Sequence, residues 1–210
     1  MRQSITKELL AYWNVLRQGR SAPERIEIDP GVIRSLLADT FILEHDSAGG
    51  FPFRLSGTRN NALFDRELRL RPFIELFQSA DRAAIKRITE AVSDDMLPMI
   101  AGLEAERHRR KIHLELLLLP LRHHGKTHSR LLGCLTPMTT PEWLGLFPIG
   151  DLQLKSFRVL NPAVFTLPAA QSDRTPVDTL PILERRAVFT AGPTPEVRTR
   201  RHLTIYDGGR

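Results

Sequence analysis

FPFRLSGTRNNALFDRELRLRPFIELF, residues 51–77, is the stretch whose reading decides the fold. It opens on a short alternating strand, with Phe51, Phe53 and Leu55 expected on one face, and stops at Gly57-Thr58. A compact, broken helical segment follows, holding Asn60, Asn61, Phe64 and the tripeptide Arg66-Glu67-Leu68. An aromatic staple from Phe73 to Phe77 then leads into a longer helix. Alternation switching to short helical turns bounded by glycine and proline predicts a strand, small helices around a hollow, and a connector helix.

Working toward the N-terminus, Thr40 to Glu44 is rich in β-formers, and Ala48-Gly49-Gly50 supplies a turn before Phe51, so the two strands form a hairpin. Residues 4–18 form a helix: Leu9, Trp13 and Leu16 recur at i, i+4 and i+7, and Ile5 and Tyr12 widen the stripe. Ser4 is its expected N-cap, and Gly19 with Pro23 beyond supplies the stop. A second helix is expected from Asp29-Pro30 to Asp39, with Ile33, Leu36 and Leu37 as its apolar face.

Toward the C-terminus, Asp81 is read as the cap of a helix carrying Ile85, Ile88 and Val92, which ends at Asp94-Asp95. Residues 98–106, 111–121 and 129–138 read as three strands, with His123-His124-Gly125-Lys126 joining the last two. The expectation is an α+β fold: a five-stranded antiparallel sheet with helices on one face, an N-terminal helical leader (1–39) and a domain over 40–140. Residues 141–160 form an extension packing on that domain, with one further strand suggested by Leu152, Leu154, Phe157 and Val159. The six prolines between 161 and 195 make residues 161–210 a flexible tail, dispensable for folding, in this reading.

At 210 residues the chain suits one ordinary domain, with hydrophobic content of 41% and charged content of 26% typical of a soluble globular protein. No apolar run approaches the roughly 20 residues needed to span a bilayer, and MRQSITKELL lacks the apolar core of a secretory signal. A lone cysteine, Cys134, permits no internal disulfide and fits a reducing cytoplasm. Net charge is +6, but the excess is even: 21 Lys/Arg against 18 Asp/Glu in residues 1–149, and 9 against 6 in residues 150–210. The one dense basic run, Arg107-His108-Arg109-Arg110-Lys111, reads as a solvated hairpin turn; the competing reading is a phosphate contact. Nucleic acid is an unfavoured partner on this reading, and no membrane partner is expected.

Tyr12-Trp13, Leu16-Arg17, Gly19-Arg20, Pro23 and Asp29-Pro30, followed by Phe53-Arg54-Leu55, Gly57-Thr58, Phe64, Arg66-Glu67-Leu68 and Phe73, together resemble a branch of the PAS superfamily. These are small alphaproteobacterial proteins with a lone PAS domain behind a helical leader. Where relatives place glycine before the Arg-Glu-Leu step this chain has Asp65, which tolerates a left-handed turn. The resemblance implies a cytoplasmic, non-enzymatic module of bacterial signalling that works through protein contacts. A sensor holding a small organic ligand is the alternative, and a nucleic-acid binder the third.

The cofactor chemistries of that superfamily find no foothold in the sequence. Residues 46–107 contain no histidine, so a haem ligand on the central or connector helix is missing, and Cys134 falls in the last strand rather than where a flavin or cinnamoyl adduct would need a thiol. There, a cysteine is more often a small buried apolar residue. No nucleophile elbow, phosphate loop or dinucleotide fingerprint occurs. No cofactor and no metal site are expected, the histidines at 123, 124 and 128 reading as solvated turn residues.

Candidate ligand-binding residues are Asn60, Asn61, Phe64 and Phe73, where PAS domains line their cavity; the competing role for the asparagines is to brace the short helix. Candidate partner-binding residues are Leu9, Tyr12, Trp13 and Leu16, the stripe of a leader that either covers the outer face of the sheet or pairs with a second copy as a homodimer. On that reading, aspartate at 9 and 13 breaks association and leaves the core folded. Arg54 is expected to face away from the helices, toward a partner or Glu67, and His113 to lie on the same outer face. The purified protein should be colourless. A Soret or flavin band at stoichiometric occupancy in its ultraviolet–visible spectrum would overturn that expectation.

Overall fold

A computed structural model describes residues 1 and 3–160, together with 198–200 and 203–205. These fall in two units, residues up to 160 in the first and the two short C-terminal segments in the second. In the first unit, helix α1 (Ser4–Arg17) precedes strands β1 (Thr40–Glu44) and β2 (Phe53–Ser56). Helix α2 (Thr58–Phe64), a 3-10 turn (Phe73–Leu76) and helix α3 (Ser79–Asp94) come next. Strands β3 (Met99–Arg107), β4 (Arg110–His123), β5 (Lys126–Pro137) and β6 (Gln153–Val159) complete it. The strands form one antiparallel sheet in the order β2-β1-β5-β4-β3-β6.

The sheet therefore has six strands rather than five. The further strand foreseen near Leu152 joins the ladder as β6, opposite Met99 to Glu104 of β3. The extension that carries it is tied to the helical layer: Ile149 N–H donates to Leu63 C=O (2.8 Å) and Leu152 N–H to Leu76 C=O (2.8 Å).

Helices cover both faces, not one. Leu114 to Leu121 is buried at every position, as a strand sandwiched between two layers must be. Leu114, Leu116 and Leu118 point into a cluster with Phe41, Phe53, Phe73, Phe77, Ile85 and Val92 beneath α2 and α3. Leu117, Leu119 and Leu121 point the other way, into a second cluster with Leu9, Leu10, Trp13, Ile42, Leu132 and Cys134 beneath α1. Burial drives the Cys134 thiol pKa well above its usual range, so it packs as an apolar residue.

Local chemistry explains most boundaries. α1 ends where Gln18 (φ 49°) and Gly19 (φ 81°) enter the left-handed region. Its N-cap is Gln3, not Ser4. The segment after Asp29-Pro30 is a string of turns ending in a 3-10 turn at Leu37–Asp39, not an α-helix. Asp29 Oδ1 accepts from Gly31 N–H (2.7 Å) in an Asx turn that competes with helical pairing. Ile33 and Leu36 are buried as expected, but Leu37 is half-exposed. Asp65 closes α2 at φ 48°, the left-handed turn its sequence position called for. Asp81 does not cap α3, which starts at Ser79 behind Gln78; its carboxylate accepts from Leu154 N–H (2.8 Å) and holds β6.

Leu55 departs from the alternation expected of β2. Ile42 pairs with Leu55 but Leu43 pairs with Phe53, so Arg54 is an extra residue in a bulge. A bulge resets which face successive side chains meet: Phe53 stays in the core and Leu55 is 49% exposed. The basic run is a hairpin turn as read, with His108 (φ 48°) and Arg109 (φ 62°) at its tip between β3 and β4.

Two glycines permit close approaches. A methyl group on Gly133 would lie 2.2 Å from the Phe41 ring, whose edge reaches over the β5 residue opposite it. One on Gly57 would lie 2.2 Å from the Leu37 carbonyl oxygen, where α2 begins against the end of the leader. In the second unit, Arg198–Arg200 pairs antiparallel with Leu203–Ile205. The expected flexibility and dispensability of residues 161–210 otherwise lie outside the described residues.

These contacts set measurable costs. Gly133→Ala should destabilise the protein by roughly 1–3 kcal/mol through overpacking against Phe41. Trp13→Ala, which opens a cavity between α1 and β4, should cost about 3–5 kcal/mol. Urea unfolding followed by circular dichroism checks both. A wild-type midpoint for Trp13→Ala would show that the leader does not stabilise the sheet.

Candidate functional site

Phe73, a candidate ligand residue, packs in a cluster of four aromatic rings with Phe41, Phe53 and Phe77. Phe41 and Phe53 meet edge-on with centroids 5.4 Å apart, Phe53 and Phe73 at 5.6 Å, and Phe73 and Phe77 at 5.3 Å, while Phe41 and Phe73 stack at 5.6 Å. These are ordinary packing geometries for aromatic clusters. Phe73 is buried within this cluster and Phe64 beside it.

The two asparagines brace backbone. Asn60 is 1% exposed, and its amide donates to Asp39 C=O (3.1 Å) and Thr40 C=O (3.2 Å), tying α2 to the start of β1. Asn61 donates to Glu67 Oε2 (3.0 Å) and accepts from Leu68 N–H (3.3 Å), closing the turn that carries Arg66-Glu67-Leu68. One of them was expected, as the competing role, to cap or bond the backbone of the short helix; instead both bond neighbouring segments outside α2. Asn60 Oδ1 is buried without a partner among the described residues.

The leader stripe is turned inward. Leu9 and Trp13 are fully buried against this chain's own sheet, and the Trp13 indole donates to Pro120 C=O (2.8 Å). Pro120 lies beyond Leu118, the last β4 residue paired with β3, which leaves its carbonyl to the indole. Leu16 packs at the rim of the same cluster. The Tyr12 hydroxyl accepts from Asp29 N–H (2.8 Å) and fastens the turn segment to α1. Leu9 and Trp13 thus form no contact surface, and aspartate there would disrupt the outer core rather than leave it folded. Arg54 is exposed as expected, but its partner is Glu44 (3.5 Å), not Glu67.

Part of the outer sheet face, expected together with the leader to serve association, is left open by α1. Beyond the leader, the outer surface of β3, β4 and β6 carries a groove of about 550 Å³ floored by Ile100 and Gly102. His113 lies on its wall, 64% exposed in its side chain and on the outer face as expected. Glu104, buried on this face, holds Lys111 (3.1 Å) and Lys155 (3.3 Å) and so couples β3 to both neighbours. The hydrogen bond from Lys111, reinforced by Lys155, holds its carboxyl below the ordinary carboxylate range. The stability this pairing contributes is present above that ordinary range and is lost as the pH falls through the lowered value. Arg158 forms no ion pair among the described residues and stands on β6 beside this groove. Only the β3–β4 hairpin register, which sets Glu104 opposite His113 and Lys111 two residues away on the same face, hints at this cluster in the sequence.

Among the described residues no helix is long and apolar enough to cross a membrane. A search of curated proteins finds no match to this chain. A sequence model of one family, described as the PAS domain, matches residues 1–136, from the leader through the end of β5. With its antiparallel sheet, its broken helical middle and this match over more than half its length, the chain belongs to the PAS domain family.

Proposed function

We propose that this protein is a non-enzymatic PAS regulatory module of the cytoplasm that acts through protein contacts. Membership of the family supports a sensory or signalling role. The observation that carries the protein-contact reading is the edge strand β6, which pairs only with β3 among the described residues. β6 is exposed on both faces, with Phe157 at 56% and Val159 at 49% exposure. Both stand opposite core positions of β3, Ala101 and Met99, at the rim of the helical layer. Large apolar side chains on an exposed edge strand mark a docking surface, since main-chain groups there are available to a further strand. Arg158 on the same strand, which forms no ion pair among the described residues, favours an acidic partner. This edge replaces the Leu9 and Trp13 stripe as the surface on which a partner protein or a second copy docks.

A small-molecule sensor is the second reading, supported by a separate hollow behind the leader. The nucleic-acid reading is weakened by Lys111, which is paired with Glu104 rather than free for phosphate.

Affinity capture from native extract, scored for proteins and for small molecules, tests the assignment alongside light scattering of the purified chain. Phe157→Asp should weaken any captured partner or self-association by roughly tenfold or more, with the unfolding midpoint unchanged. Association that is indifferent to Phe157→Asp would remove β6 from the interface. Binding to DNA or RNA that falls steeply with added salt would instead favour the nucleic-acid reading.

A further inference from the structure

A hollow of about 380 Å³ lies where the first turn of α1 meets α2 and the end of β5. Ile5, Leu63, Pro137 and Leu144 give it an apolar wall, and Asp39 and Arg59 line it with opposite charges. The two are ion-paired, yet they are placed very differently: the Asp39 side chain is 3% exposed and the Arg59 side chain 62%. The carboxylate is enclosed in the wall, and the guanidinium side chain stands largely exposed at the mouth. Burial raises the Asp39 carboxyl above its ordinary value although Arg59 pulls it the other way. One guanidinium therefore does not make up for the water this carboxylate has lost, and a second donor is favoured there.

We propose that this hollow is a binding site for a small zwitterion of the amino-acid class with an aliphatic side chain. Its ammonium group sits on Asp39, its carboxylate takes the Arg59 guanidinium, and its side chain lies against Ile5, Leu63 and Leu144. A simple amine would compete with Arg59 for Asp39 and leave the guanidinium without an anion. A zwitterion exchanges one internal ion pair for two and satisfies the planar fork of the arginine. The volume is at the small end for ligand sites, and a few convergent polar groups on an apolar wall are what such sites use.

The site also reaches the leader. Gln3 lines it together with Ile5. The leader's first turn is anchored by Gln3 N–H (3.2 Å) and Thr6 Oγ1 (2.5 Å), both donating to Glu115, and by Gln3 Nε2 donating to Met138 C=O (3.2 Å). A ligand that contacts Ile5 adds to these contacts only when α1 is docked, so occupancy and leader docking must favour each other. The proposal deepens the small-molecule reading and is independent of the β6 edge, so its failure leaves the protein-contact assignment standing.

Isothermal titration calorimetry and thermal shift with L-leucine, L-isoleucine and L-valine, each added to the full chain, test it. Isocaproate, which lacks the ammonium group, and isoamylamine, which lacks the carboxylate, are the controls. Saturable binding of at least one of the three amino acids is expected, weakened roughly tenfold or more for both truncated probes and in Arg59→Gln. Ala62→Trp, at an exposed position on the hollow's wall, should abolish it, and amides of residues 4–10 should exchange more slowly with ligand bound. No saturable binding of the three would overturn the proposal. So would equal affinity for the truncated probes on the unaltered protein, or unchanged binding in both Arg59→Gln and Ala62→Trp.

Discussion

The rest of the structure depends on one strand that is apolar on both sides. Leu114 to Leu121 of β4 cannot meet water on either face without exposing a row of leucines, each worth roughly 1.5–3 kcal/mol when buried. α2, the 3-10 turn and α3 cover one side, and α1 covers the other. The leader is thus part of the hydrophobic core, which explains why its stripe is spent on its own sheet. It also accounts for the Trp13 indole bonded to Pro120: β4 runs past its last pairing with β3 at Leu118, and the Pro120 carbonyl there is satisfied from the covering layer.

On the inner side, the shape of the core follows from Gly133. With no side chain there, the Phe41 ring can lie on β5 and organise Phe53, Phe73 and Phe77 around it. The aromatic cluster takes the place given to a ligand, and Asn60 and Asn61 are occupied with backbone. Further open surfaces lie at the periphery of the sheet: the edge strand β6, the groove on the outer face of β3, β4 and β6, and the hollow between α1 and α2. Two of these three border the leader or the open face next to it. A module built this way can sense and signal through the same layer, because anything that alters how α1 is seated alters what remains open on the outer face.

The sequence by itself determined the elements with local causes. The 3.6-residue stripe of α1, the hairpin at Gly49-Gly50, the apolar spacing of Ile85, Ile88 and Val92, and the left-handed Asp65 are all set by residues within a few positions of one another. The basic run at Arg107 to Lys111 was legible as a turn for the same reason. The family likeness carried by these pieces was readable because it rests on turn and capping chemistry, which stays in the chain as short motifs.

Tertiary structure decided whatever depends on partners distant in sequence. The leucine-rich run of β4 signalled burial, but the sequence left open whether α1, more than a hundred residues earlier, covers the outer face or pairs with a second copy. Asn60 meets Asp39 and Thr40, Asp81 turns from helix cap to anchor of β6, and Arg54 takes Glu44 only because a bulge shifts the register of β2. The Asp39–Arg59 pair and the Glu104 cluster join residues from separate elements, and their spacing along the chain carries no period. Side-chain periodicity records which residues share a face, but not which face another element will cover, since that is fixed by long-range packing of the whole sheet.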